Sequence, residues 1–205
     1  MQRRAFLMGA PLVVAGCAGG DSVWAPDSAV NAAMFLGTGP KALTLYTMRN
    51  TGSGNGAHSS VLIDASQRVL FDPAGSFANA RIPERNDVLF GMSPQIEDYY
   101  VSYHARETYY VEGQRVVVSA DVAEQALRLA LAYGPVGQGS CTRAASAILG
   151  QLPGFDSIRS TLFPNALRNR FAILPGVELT EYREADGDDK SFAAAQIDAA
   201  LKASQ

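Results

Sequence analysis

One domain, with strands in its first part and helices after them, is what this sequence predicts, and three observations predict it. Of the 205 residues 47% are hydrophobic, enough to bury a sizeable core. Between Lys41 and Val118 the apolar residues fall into short strand-like runs separated by turn residues. From Asp121 the spacing changes to that of a helix.

The chain opens with Arg3-Arg4 and a short apolar run, Ala5 to Ala15, interrupted by Pro11 and too short to span a bilayer. The run ends in Val14-Ala15-Gly16-Cys17, which resembles a lipobox. Residues 1–16 are therefore expected to be a lipoprotein signal peptide, with cleavage before Cys17 and acylation of that cysteine. Arg3-Arg4-Ala5-Phe6-Leu7 also resembles the twin-arginine export signal. Ala18 follows Cys17, and by resemblance to Gram-negative sorting rules an Ala there favours the outer membrane. The expectation is a cell-envelope protein, lipid-anchored at the periplasmic face of the outer membrane, with the membrane as a partner through its lipid.

Residues 17–40, rich in Gly, Ala, Ser and Asp, read as a lipidated tether. Lys41–Met48 alternates apolar and polar residues as a strand, and the loop Asn50–Gly56 lacks the Gly-Lys-Ser/Thr ending of a phosphate loop. His58–Asp64 and Arg68–Asp72 form a hairpin about Ala65–Gln67, which returns Asp72 to within about a residue of His58. Asp72-Pro73-Ala74-Gly75 is a turn, and 77–94 reads as loop. A second hairpin is predicted from Thr108–Val111 and Gln114–Val118 around Glu112-Gly113. A helix follows from a capping-box-like start at Asp121 to Tyr133, stopped by Gly134-Pro135. Ser140 then caps a short buried helix, Cys141–Leu149, closed by Gly150. Residues 153–175 are irregular, and 184–205 form an acidic then Ala-rich tail or marginal helix.

Composition narrows the chemistry. A net charge of −3 gives no basic footprint for nucleic acid. Of the two cysteines, Cys17 is committed to lipid, so Cys141 has no intramolecular disulfide partner. A thiol at a helix N-terminus feels the positive end of the backbone dipole, which favours the thiolate, and the free N–H groups there can stabilise an oxyanion. Cys141 is thus the candidate nucleophile, His58 the general base and Asp72 the residue that orients the imidazole. Each has a plainer alternative: a buried core thiol, a strand-edge histidine with a structural hydrogen bond, and a turn aspartate. His104 is the rival base, or else a surface or packing residue. Two histidines and one thiol with no close spacing make a poor zinc set, so neither metal nor other cofactor is expected. No Gly-x-Ser-x-Gly elbow occurs.

Gly56-Ala57-His58-Ser59-Ser60-Val61-Leu62-Ile63 and Gly139-Ser140-Cys141-Thr142-Arg143-Ala144-Ala145 resemble the histidine strand and cysteine helix of circularly permuted papain-like enzymes. These are the NlpC class, with the lecithin:retinol-acyltransferase-like enzymes and their envelope lipoprotein subgroup, in which the histidine precedes the cysteine. The resemblance covers about Leu43 to Leu149, and Asp72 matches the family's polar third position approximately. It implies an α+β fold over residues 41–183, with an antiparallel sheet packed against the helix that carries the cysteine. The expected activity is that of a thiol-dependent hydrolase, a cysteine peptidase or amidase acting on the amide bonds of cell-wall peptides. The alternatives are a lipid acyl hydrolase or acyltransferase on the same site, and a noncatalytic envelope binding lipoprotein. Oligomeric state is left open.

Overall fold

The computed structural model describes residues 20–203. The expected signal peptide and the expected lipidation site at Cys17 lie outside the described residues. Among the described residues seven strands form one sheet: β1 (Ala42–Asn50), β2 (Gly56–Asp64), β3 (Arg68–Phe71), β4 (Glu84–Arg85), β5 (Val88–Phe90), β6 (Tyr109–Val117) and β7 (Glu178–Tyr182). Their order is β4-β5-β3-β2-β1-β6-β7, and every pairing is antiparallel. Six helices of the described residues accompany the sheet: α1 (Asp27–Ala33), α2 (Pro94–His104), α3 (Ala120–Tyr133), α4 (Cys141–Leu149), α5 (Pro164–Phe171) and α6 (Lys190–Ala203). The molecule is α+β, as expected.

Side chains on alternate faces of the strands enter two cores. Leu43, Leu45, Val61, Ile63, Val69 and Phe71 join a core with α3, α4 and α5. Tyr46, Met48, Leu62 and Leu70 join a second core with α2 and α6. A sheet covered on both sides has no polar face, which is why β1 is buried from Ala42 through Met48.

The hairpin β2–β3 forms about Ala65–Gln67 as expected, with Val61 opposite Phe71. That register sets Asp72 across from Ser60, two residues from His58 and not one. The difference keeps both side chains on the same face, where diagonal neighbours can meet.

The expected second hairpin is absent: Tyr109–Val117 is one continuous strand paired along its length with β1. Glu112-Gly113 carries turn-forming composition for a packing reason. Gly113 lies opposite Tyr46, and a Cβ there would sit 3.1 Å from the Tyr46 ring. Glu112 is buried because it receives Arg49 at 3.0 Å and Arg168 of α5 at 2.8 Å. Helix α3 is capped two residues earlier than expected, by the Ser119 hydroxyl accepting from Val122 N–H, so Asp121 is in the first turn and not the cap.

The loop expected over 77–94 contains the β4–β5 hairpin, turned by Asn86 and Asp87 at φ 45° and 66°. Tyrosine-rich 94–104 is helical, started by Pro94 after the Ser93 cap. Within 153–175 the segment from Pro164 winds into α5, and β7 then adds an edge strand. The described part of the expected tether is docked: Val30 of α1 is buried in the first core, and Trp24 bridges to Arg85. The tail forms α6, whose Ala193, Ile197 and Leu201 are buried. No helix among the described residues is long and apolar enough to cross a membrane.

Candidate active site

Cys141 is the first residue of α4. Nothing inside the helix can accept from the N–H groups of its first turn, and Ser140 makes no side-chain cap to them. Ser59 Oγ and Thr142 Oγ1 lie 3.1 Å apart, so the start of α4 is pinned to β2 one residue past His58. The Ser59 N–H and the Thr142 hydroxyl, the latter 3.7 Å away, both support negative charge on Sγ.

His58 joins the remaining parts. Its Nε2 lies 2.6 Å from Asp72 Oδ1, and the ring also hydrogen-bonds the Cys141 thiol. With Nε2 committed to the carboxylate, Nδ1 is the nitrogen left for the thiol. Asp72 is 4% exposed and is held from two further sides. The Tyr100 hydroxyl lies 2.8 Å from Asp72 Oδ1 and 2.7 Å from Ser60 Oγ. Its single proton goes to the carboxylate, the stronger acceptor, and it receives the Ser60 proton in turn. A Cβ at Gly75 would come within 1.9 Å of Asp72 Oδ2, so the turn Asp72–Gly75 closes only with glycine at its end.

Burial opposes charge on all three groups, and their mutual contacts overcome it. Burial pulls His58 down, but the Asp72 charge and hydrogen bond, then the thiol, raise it to about 10. Burial pushes Cys141 up, but the His58 hydrogen bond and charge, with Thr142 and the Ser59 N–H, lower it to about 7. Asp72 is likewise held below the usual carboxylate range despite its burial, chiefly by His58. Between about pH 7 and 10 the pair is therefore a thiolate facing an imidazolium.

The structure thus brings Cys141, His58 and Asp72 together. His104, the rival base, is elsewhere occupied. It is buried on α2, its Nδ1 donates to the Tyr100 carbonyl at 2.8 Å, and its ring stacks on His58 with centroids 6.2 Å apart. Burial lowers it to about 4, so it stays neutral beside the charged imidazole. Among the described residues, no group of three or more His, Cys, Asp or Glu side chains is placed to hold a metal ion.

A cavity of about 280 Å³ opens over His58, lined in part by Met48, Ala57, Tyr109, Gln138 and Lys190. Behind it, Asp87 acts as a strut. Its Oδ1 accepts from Ala74 N–H at 3.2 Å and its Oδ2 from Val136 N–H at 2.7 Å, tying the Asp72 turn to the loop that leads into α4. Sequence reasoning missed Tyr100, Thr142, Asp87 and Lys190. The Asn86-Asp87 pair between strand-like residues was the one legible signal, a two-residue hairpin turn. Tyr100 and Thr142 gave none, since their roles depend on neighbours 28 and 83 residues away in the chain.

No known protein family, curated protein or solved structure matches this chain.

Proposed function

We propose that the protein is a thiol-dependent hydrolase of amide bonds, carried on a permuted papain-like scaffold and tethered in the cell envelope by lipid at Cys17, with cell-wall peptides as its substrate class. One observation carries this reading: a single imidazole joins a buried carboxylate to a thiol at the first residue of a helix. The order along the chain, histidine strand before cysteine helix, supports the permuted scaffold. Polar groups of Tyr109, Gln138 and Lys190 stand among apolar Met48, Ala57 and Ala74 in the cavity wall, and they support a peptide, whose amides they can hydrogen-bond.

In the reaction, Cys141 Sγ attacks the carbonyl carbon and the oxyanion is received by first-turn N–H groups of α4. The C–N bond breaks as His58 gives its proton to the departing amine, leaving a thioester. Water then attacks the thioester, passing a proton to His58, and the carboxylic acid leaves with the thiolate restored. Asp72 holds the ring orientation throughout and stabilises the imidazolium before the amine leaves and again after water attacks.

A noncatalytic binding role has one observation in its favour, the 8% exposure of Cys141. The two readings separate by the pH dependence of Cys141 alkylation with iodoacetamide, read by peptide mass mapping in the full chain and in His58→Ala. Labelling that rises near pH 7, and in His58→Ala only near the ordinary thiol value of 9, supports the hydrolase. Slow labelling with the same profile in both chains makes Cys141 a structural thiol and overturns it. Turnover of an amide needs thiolate and imidazolium together, so its rate is expected to rise through about pH 7 and fall above about 10.

A further inference from the structure

Lys190 lines the His58 cavity and is the one lysine or arginine in its wall, and no aspartate or glutamate lines that cavity. The ammonium is half-buried, and burial lowers its affinity for the proton. Among the described residues it has no carboxylate within ion-pair distance, whereas Lys41, Arg49, Arg68, Arg106 and Arg168 each do. It faces the Tyr103 ring at 4.8 Å, and the charges of Asp72 and Asp188 reach it only from beyond ion-pair distance.

The acidic residues that precede Lys190 are turned to other partners. Asp186 pairs with Arg106 at 3.1 Å. Asp188 accepts from the Thr108 N–H at 3.0 Å and from the Thr108 hydroxyl. Asp189 accepts from the Ser191 N–H at 2.9 Å and from its hydroxyl at 2.6 Å. Three carboxylates within four residues are thus held away from the one lysine beside them. The first turn of α6 offers no compensation either, because the helix dipole there disfavours a cation. A half-buried charge left without a paired counter-ion costs stability, and here it lines the cavity that opens over His58.

We propose that Lys190 receives a carboxylate of the substrate, so that the preferred substrate is an acidic peptide with a free carboxylate side chain or terminus next to the amide that Cys141 attacks. This rests on the hydrolase reading above and names the substrate class for the same cavity. The substrate carboxylate takes the place of the missing counter-ion, opposite a neutral His104 and alongside the His58 imidazolium.

The test uses two thiol-directed probes that differ by one charge: the N-iodoacetyl derivative of glutamic acid α-amide and that of glutaminamide. In each, the thiolate displaces iodide from the methylene carbon and a C–S bond forms. The ratio of the two labelling rates at Cys141 is read within each variant at low ionic strength, in the full chain, Lys190→Gln and Lys190→Arg. The parent is expected to favour the acidic probe by roughly two- to fivefold, of the order of one partly exposed ion pair. Lys190→Gln brings the ratio to about one, and Lys190→Arg keeps it above one. A parent ratio near one, or a preference that survives in Lys190→Gln, overturns the proposal. The ratio is measurable whatever the absolute rate, so a thiol that labels independently of His58 defeats the hydrolase reading without deciding the fate of Lys190.

Discussion

At the scale of single residues, Asp72 carries two functions that a sequence pattern would assign to different residues. It ends a strand in a turn, and it holds His58 protonated beside the thiolate. Replacing it by asparagine keeps the size and a carbonyl acceptor but removes the charge that raises His58. The imidazole then loses its proton at lower pH, and without the facing cation Cys141 ionises at higher pH. Asp72→Asn is therefore expected to move the onset of iodoacetamide labelling upward from about pH 7, and to lower amide turnover by about 10²-fold or more. Unchanged labelling would mean that the α4 N-terminus and Ser59 set the thiolate by themselves. The three candidate site residues were legible because each stands near the end of an element whose boundary is written in local residues: Ser140 before Cys141, Gly56 before His58, Asp72-Pro73 after the hairpin. Lys190 was not, because its meaning lies in the carboxylates around it having other partners.

At the scale of elements, the misread hairpin shows where local composition and tertiary packing part company. Glu112-Gly113 has the residues of a turn, but the glycine makes room for the Tyr46 ring and the glutamate closes an ion network with Arg49 and Arg168. Tyr46 is 1% exposed and its hydroxyl donates to Glu97, so the ring has little freedom to withdraw. Gly113→Ala is expected to destabilise the protein by about 1–2 kcal/mol in urea unfolding, despite alanine's better fit to an extended strand. An unchanged or raised midpoint would show that the ring can shift, and that glycine is not needed there. The same physical reason hid α5 and β7. Their places are set by Glu112 and by pairing with β6, contacts that no local window contains.

At the scale of the whole molecule, the buried titratable groups fix how stability varies with pH. His104 binds its proton more weakly in the folded chain, at about 4 against an ordinary 6.5, so its contribution is full above 6.5 and is lost as pH falls toward 4. Asp72, also depressed, adds to the loss further into acid. His58 is raised to about 10, so its contribution is full below 6.5 and gone above about 10. Cys141, lowered to about 7, contributes fully above its ordinary 9 and loses this as pH falls through 7. Between 7 and 9 the folded chain holds the pair's proton on nitrogen and the unfolded chain holds it on sulfur. The two states bind equal numbers of protons there, and stability is flat. The melting temperature is therefore expected to plateau from about pH 7 to 9 and to fall on either side. A steady slope across that range would show that the proton is not shared in this way. The two-layered helical covering of the sheet was less legible than its strands, because β1 reads as alternating in sequence yet is buried on both faces.

The seam between Ser59 and Thr142 joins positions 83 residues apart, and it is what sets a helix-borne sulfur beside a strand-borne ring. Neither α4 nor the β2–β3 hairpin owns the reactive centre. Low-pH reactivity of Cys141 is thus an all-or-none property of the assembled chain and serves as an internal reporter of cooperativity. In a denaturant titration, loss of rapid alkylation should coincide with the loss of overall secondary structure, with no partly folded species that keeps one and lacks the other.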